Sequence, residues 1–157
     1  MAGVFQAATG DGPPSALPER ERTAEVRVAF EGLLQIRRVT NTTVPDPAGA
    51  PAAWELNQMV RAVALALEAS GFQASALDAS GARTATGYRV RPFDRARTVC
   101  VDWLGPPGSG APQEEESRLT ECAAALGRLG WEALLYRGPR RRRFLEVEPA
   151  RSSASGA

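Results

Sequence analysis

Two stretches of this chain echo each other, and the echo limits the architectures open to it. Leu67-Glu68-Ala69-Ser70-Gly71-Phe72-Gln73-Ala74 aligns with Leu126-Gly127-Arg128-Leu129-Gly130-Trp131-Glu132-Ala133, an offset of 126 − 67 = 59 positions. Further on, Val90-Arg91-Pro92 parallels Val147-Glu148-Pro149 at an offset of 147 − 90 = 57. Each unit reads helix, glycine stop, aromatic, strand, turn, strand, proline. Glycine accepts the left-handed conformation in which helices commonly end. The aromatic that follows can fold back over the last helical turn and fix how the strand leaves it. Two such units lay two helices on one antiparallel sheet.

Periodicity supplies the elements. From Ala53 to Ser70 the apolar residues Leu56, Met59, Val60, Val63 and Leu67 recur at helical spacing, and Gly71 sits at the stop. Strands are expected over Phe72–Leu77, Tyr88–Phe93 and Arg97–Leu104, with turns at Ser80-Gly81 and Asp94-Arg95-Ala96. A Pro/Gly loop over 105–112 leads to Glu114, Glu115 and Glu116, whose carboxylates suit the positive end of a helix dipole. Leu119, Cys122, Ala123, Leu126 and Leu129 form that helix's apolar stripe. Trp131–Arg137 and Phe144–Pro149 then make a closing hairpin around Gly138-Pro139-Arg140.

The expected fold is α+β in two layers: two helices on a mostly antiparallel sheet of about five strands, in the order helix-β-β-β-helix-β-β. Residues 53–149 form the domain, with Val90, Val99, Val101, Trp103, Leu145 and Val147 facing its core. Residues 1–17 and 150–157, rich in Gly, Ala, Pro and Ser, read as disordered tails. Residues 41–52 read as a proline-rich linker. Between tail and linker, residues 18–40 read as an N-terminal arm. Pro18, with Glu19 and Glu21 behind it, favours a helix; a hairpin turning at Glu31-Gly32 is the alternative. The predicted order of elements is similar to that in type III secretion chaperones, which are small dimeric peptide-binding proteins. The similarity is one of topology, no motif carries it, and no residue role follows from it.

Composition removes most catalytic chemistry. The chain has no histidine, and all 19 basic residues are arginine. Ser-His-Asp and Cys-His pairs cannot form within it, nor histidine-containing zinc sites. Two cysteines are too few for a four-thiolate site. Without lysine there is no Schiff base and no Walker-type phosphate loop. The glycines of Gly105-Pro106-Pro107-Gly108-Ser109-Gly110 alternate with prolines that lack backbone donors, so the segment reads as a connector. No catalytic residue, cofactor or metal ligand is assigned. Glu146 and Glu148 share the spacing of Arg89 and Arg91, which suggests a cross-strand ladder on the open face of the sheet rather than an acid–base pair. Cys100 and Cys122 read as reduced, buried thiols.

Arginine, alanine, glycine and proline together resemble the bias of a GC-rich genome, as in a high-GC bacterium or its phage. No secretion signal or bilayer-length apolar run is visible, so the expected location is cytoplasmic, with no membrane partner. Two surfaces remain as candidates. Val26, Phe30, Leu33 and Leu34 give the arm an apolar face suited to an unknown protein partner or to self-association. Arg137, Arg140, Arg141, Arg142 and Arg143 surround a hairpin tip and could grip phosphates. Arg95 and Arg97 would add to that patch if their turn shares its end of the sheet. The first surface predicts a non-catalytic binding or adaptor protein; the second predicts a nucleic-acid-binding accessory protein.

Overall fold

A computed structural model describes residues 5–151 of the chain. In chain order the elements are α1 (Glu19–Thr40), α2 (Ala53–Asn57), α3 (Met59–Ala69), β1 (Ala76–Leu77), β2 (Arg83–Ala85), β3 (Gly87–Pro92), β4 (Val99–Leu104), α4 (Ala111–Gly127), β5 (Trp131–Arg137) and β6 (Arg143–Pro149). The fold is α+β. Four strands form an antiparallel sheet in the order β3-β4-β6-β5, and β1 and β2 form a separate two-stranded sheet. α3 packs against β3, and α4 against β4, β5 and β6. α1 lies on α3.

The core lies between α3, α4 and one face of the large sheet. Val90, Val99, Val101, Trp103, Leu145 and Val147 are all buried there, joined by Tyr88 and Trp131. Their alternation along β3, β4 and β6 is the period-two pattern of a sheet covered on one side. Val63 and Leu67 from α3 and Leu119, Cys122 and Leu126 from α4 meet them at zero exposure. Each large side chain so buried contributes about 1.5–3 kcal/mol.

Three expectations need correction. The helix expected over 53–70 is two helices, broken at Gln58, whose φ is −137°. The break lets Glu55 turn inward, where its carboxylate meets Arg37 of α1. The strand expected over 72–77 shrinks to Ala76–Leu77, and Ala74 makes only an isolated bridge to Tyr88. Consequently the large sheet has four strands rather than about five. α4 starts one turn early, at Ala111, because Gly110 (φ 83°) turns the chain and Pro112 suits a first helical turn.

Residues 18–40 form a helix, as the Pro18 and glutamate signals favour, and this arm docks on its own domain. Val26 and Leu33 are buried against Leu65, and Arg37 is buried with Glu55. The proline-rich linker 41–52 is also tied to the fold. Asn41 donates to the Pro47 and Ala50 carbonyls, and Arg37 donates to that of Ala48. Within residues 1–17, expected as a tail, residues 5–12 run from Arg22 of α1 past the outer edge of β3 to β1. The Thr9 carbonyl accepts from Val90 N–H at 2.7 Å, and the Gly12 carbonyl accepts from Leu77 N–H at 2.9 Å. Gly10 allows this approach: its φ is 99°, and a Cβ there would strike the Tyr88 carbonyl. Residues 1–4 and 152–157 lie outside the described residues.

Candidate functional site

Among the described residues the sheet has helices on one face only, which leaves its other face open. Register places Arg89 and Arg91 of β3, Cys100 and Asp102 of β4, Phe144, Glu146 and Glu148 of β6, and Glu132, Leu134 and Tyr136 of β5 on that face. A charge ladder exists there, but not the expected one. β4 separates β3 from β6, so Arg89 and Arg91 cannot reach Glu146 and Glu148 directly. Both arginines close instead on Asp102, at 2.9 and 2.8 Å. Glu146 pairs with Arg95 at 2.7 Å, and Glu148 approaches Arg95 at 3.9 Å. Hydrogen bonding to Asp102 raises the Arg91 pKa further, and hydrogen bonding to Glu146 does the same for Arg95.

The five hairpin arginines do not form one patch. Arg143 turns toward α4: its backbone N–H donates to the Glu115 carboxylate, and its guanidinium lies 3.5 Å from Glu116. Arg137 is its register partner on the helix-bearing side. Arg140 and Arg141 sit at the tip, both with φ of 61°, a region that non-glycine residues rarely adopt. Arg142 reaches the open face. There it borders a cleft of about 240 Å³ together with Arg89, Arg91, Asp102, Leu104, Pro139 and Phe144. Phe144 stacks with Tyr136, centroids 6.0 Å apart, and the Arg91 guanidinium lies 5.8 Å above the Phe144 ring. Arg95 and Arg97 are at the opposite end of the sheet, because β3 and β4 join beside Val147 while the hairpin tip lies toward Leu145 and beyond.

A second concavity, of about 910 Å³, runs between α1 and the segment from Phe72 to Ala76. Val26, Phe30 and Leu34 line one wall, Phe72 and Ala74 the other, and Pro13, Pro14 and Leu17 close one end. Of the four residues expected to hold a partner, Leu33 does not reach this groove, and Val26 contributes little surface because it is 4% exposed. Phe30 and Leu34 remain half-buried on the wall. Arg22 sets the geometry of the groove's inner end. Its guanidinium donates to both Glu68 oxygens, at 3.0 and 2.8 Å, and to the Gln6 carbonyl, and it lies 4.9 Å from the Phe5 ring. Hydrogen bonding to Glu68 raises the Arg22 pKa. Arg27 and Glu31 stand exposed on the rim.

Sequence reasoning marked α1 but not the opposite wall, since Phe72 and Ala74 read as strand. It also marked the hairpin arginines but not their meeting with Arg89 and Arg91, which depends on strand order. Cys100 and Cys122 are free and buried. Among the described residues, no helix is long and apolar enough to cross a membrane. No family model, no curated protein and no solved structure matches the chain.

Proposed function

We propose that this chain is a non-catalytic binding protein that acts through protein–protein contacts, with the groove beside α1 as its receptor surface. One observation carries the reading. The groove has a volume within the roughly 300–1,000 Å³ of typical ligand sites, and half-buried apolar side chains, Phe30, Leu34 and Phe72, line it from two elements. A held apolar side chain from a partner would remove those groups from water. Arg27 and Glu31 on the rim offer both signs of charge to the flanking polar residues. The walls are pre-organised, because the Arg22–Glu68 pair and the Arg37–Glu55 pair fix α1 against α3 and α2. Pre-organisation lowers the ordering cost of association.

Photo-crosslinking tests this. A benzophenone side chain at position 34 lies in the groove; one at Val28, which is 70% exposed on another face of α1, is the control. The expected result in the native cell is a discrete protein adduct at position 34, lost when Thr23 on the groove wall is replaced by Arg, with none at position 28. Equal labelling at both positions, or no adduct at position 34, would overturn the reading.

A further inference from the structure

We propose that the cleft between β3 and the arginine hairpin binds a compact phosphomonoester, with Arg89, Arg91 and Arg142 as its ligands and Phe144 as a ring-stacking wall. This does not rest on the α1 groove; it follows from a charge imbalance on the open face of the sheet. Two guanidinium groups, Arg89 and Arg91, share the single carboxylate of Asp102, which is 13% exposed. Asp11 adds a longer contact to Arg89, at 3.5 Å. Arg142 enters the same cleft and makes no ion pair among the described residues. Arg143 also lines the cleft, with its guanidinium 3.5 Å from Glu116. The cleft therefore gathers more positive charge than its acids neutralise, in guanidinium forks whose planar donors match phosphate oxygens.

Shape selects a compact ligand. About 240 Å³ falls below the usual range for drug-sized ligands and suits a phosphate carrying one ring. Leu104, Pro139 and Phe144 supply the apolar wall for that ring. A long polyanion fits poorly, because the same face carries Glu132, Glu146 and Glu148 beyond Phe144. A strand tracking across the sheet would meet those carboxylates. The backbone at the tip is held away from its favoured conformation, with Arg140 and Arg141 both at φ 61°. Such strain persists where surrounding contacts over-determine it, and it recurs at ligand clamps. Arg142 follows that turn and stands exposed beside the cleft.

Asp102 occupies the position of an internal counter-anion, and this gives the test its sign. Phenyl phosphate, inorganic phosphate and a single-stranded oligodeoxynucleotide are titrated into the full-length protein at pH 8, where a phosphomonoester is dianionic. Backbone and guanidinium NMR shifts are followed. Phenyl phosphate should shift Arg91, Arg142 and Phe144 and bind more tightly than inorganic phosphate. Arg142→Gln should weaken phenyl phosphate by roughly tenfold, the loss of one charge-assisted contact, with an unchanged melting temperature. Asp102→Asn should tighten it by removing the competing carboxylate. Inorganic phosphate binding as tightly as phenyl phosphate would exclude the stacked ring. Stronger binding of the oligonucleotide per phosphate would replace the proposal with a polyanion surface. Absence of any shift at millimolar phenyl phosphate, or unaltered affinity in Arg142→Gln, would overturn it. If Asp102→Asn fails to fold, Arg91→Gln, which should also weaken binding, takes its place.

Discussion

Arg37 donates to both carboxylate oxygens of Glu55 at 2.8 Å, and neither side chain is more than 1% exposed. The pair joins four segments. Arg37 also donates to the Ala48 and Leu129 carbonyls, and Glu55 also accepts from Ala52 N–H at 2.8 Å. It thereby ties the end of α1 to α2, to the loop before it and to the turn after α4. Removing one partner strands a buried charge. Glu55→Ala is therefore expected to cost about 3–5 kcal/mol in denaturant unfolding. Arg37→Lys should not rescue the fold, since an ammonium cannot reproduce the planar fork. In a double-mutant cycle, the combined loss should fall well short of the sum of the single losses.

The hydroxyl of Tyr88 donates to the Ala8 carbonyl at 2.8 Å, which helps hold the N-terminal segment on the β3 edge. Thr9 and Gly12 add backbone bonds, and Asp11 pairs with Arg83 at 2.7 Å. At about 1 kcal/mol per bond, removal of residues 1–12 is expected to cost roughly 2–4 kcal/mol. It should also speed amide exchange at Val90, whose N–H loses its acceptor. Gly10→Ala should reproduce much of that loss, because the left-handed backbone and the Tyr88 carbonyl both exclude a Cβ. An unchanged melting temperature after truncation would show that these contacts add nothing to stability.

Chain segments whose pattern is set by burial were legible; those set by a specific pairing were not. Val99, Val101 and Trp103 alternate because one face of β4 is covered, and that alternation is written in the residue types. The glycine stops at Gly71 and Gly130 were readable for a similar reason, since both have positive φ. Gly130 also meets the Gly49 backbone, a contact no local pattern announces. Strand order leaves no local trace, so spacing alone matches Arg89 and Arg91 to Glu146 and Glu148 rather than to Asp102. The break at Gln58 carries no local mark, since neither glycine nor proline stands there; just before it Glu55 pairs with Arg37. Residues 5–12 read as a tail because their small, polar composition offers no periodic apolar face. Their role is carried largely by backbone carbonyls, which every residue possesses.

The two thiols make the alkaline limb of stability predictable. Burial pushes the Cys122 thiol up to about 12, raises Cys100 as well, and drives Tyr88 well above its ordinary range. Near neutral pH the thiols are protonated in both folded and unfolded chains, and burial exacts no ionisation penalty. Above it, the unfolded chain releases protons that the folded chain retains, so unfolding becomes easier as pH rises toward the folded values. The melting temperature should accordingly hold near neutral pH and fall steadily above pH 9. Cys122→Ala should flatten part of that fall. A thiol reagent added at pH 8 should modify the native protein only at the rate of opening, because both cysteines are at zero exposure.

Among the described residues β5 leaves one edge of the large sheet unpaired, whereas residues 9–12 and 73–75 contact the β3 side. It is seven residues long, pairs with β6 in continuous register from Trp131 to Arg137, and contains neither proline nor bulge. Leu134, Leu135 and Tyr136 are exposed on it at 46%, 39% and 42%. A long, regular edge with exposed apolar side chains templates pairing with another strand. The expected outcome is concentration-dependent association in sedimentation, resisted by moderate salt because apolar contact rather than charge drives it. Leu134→Arg, which places a charge on the exposed strand, should shift the association to higher concentration by an order of magnitude or more, about 1.4 kcal/mol. Val28→Arg, on the outer face of α1, should leave it unchanged. The reverse pattern would move the sticky surface from the sheet edge to the helix. A species that stays monomeric throughout the range would overturn the prediction.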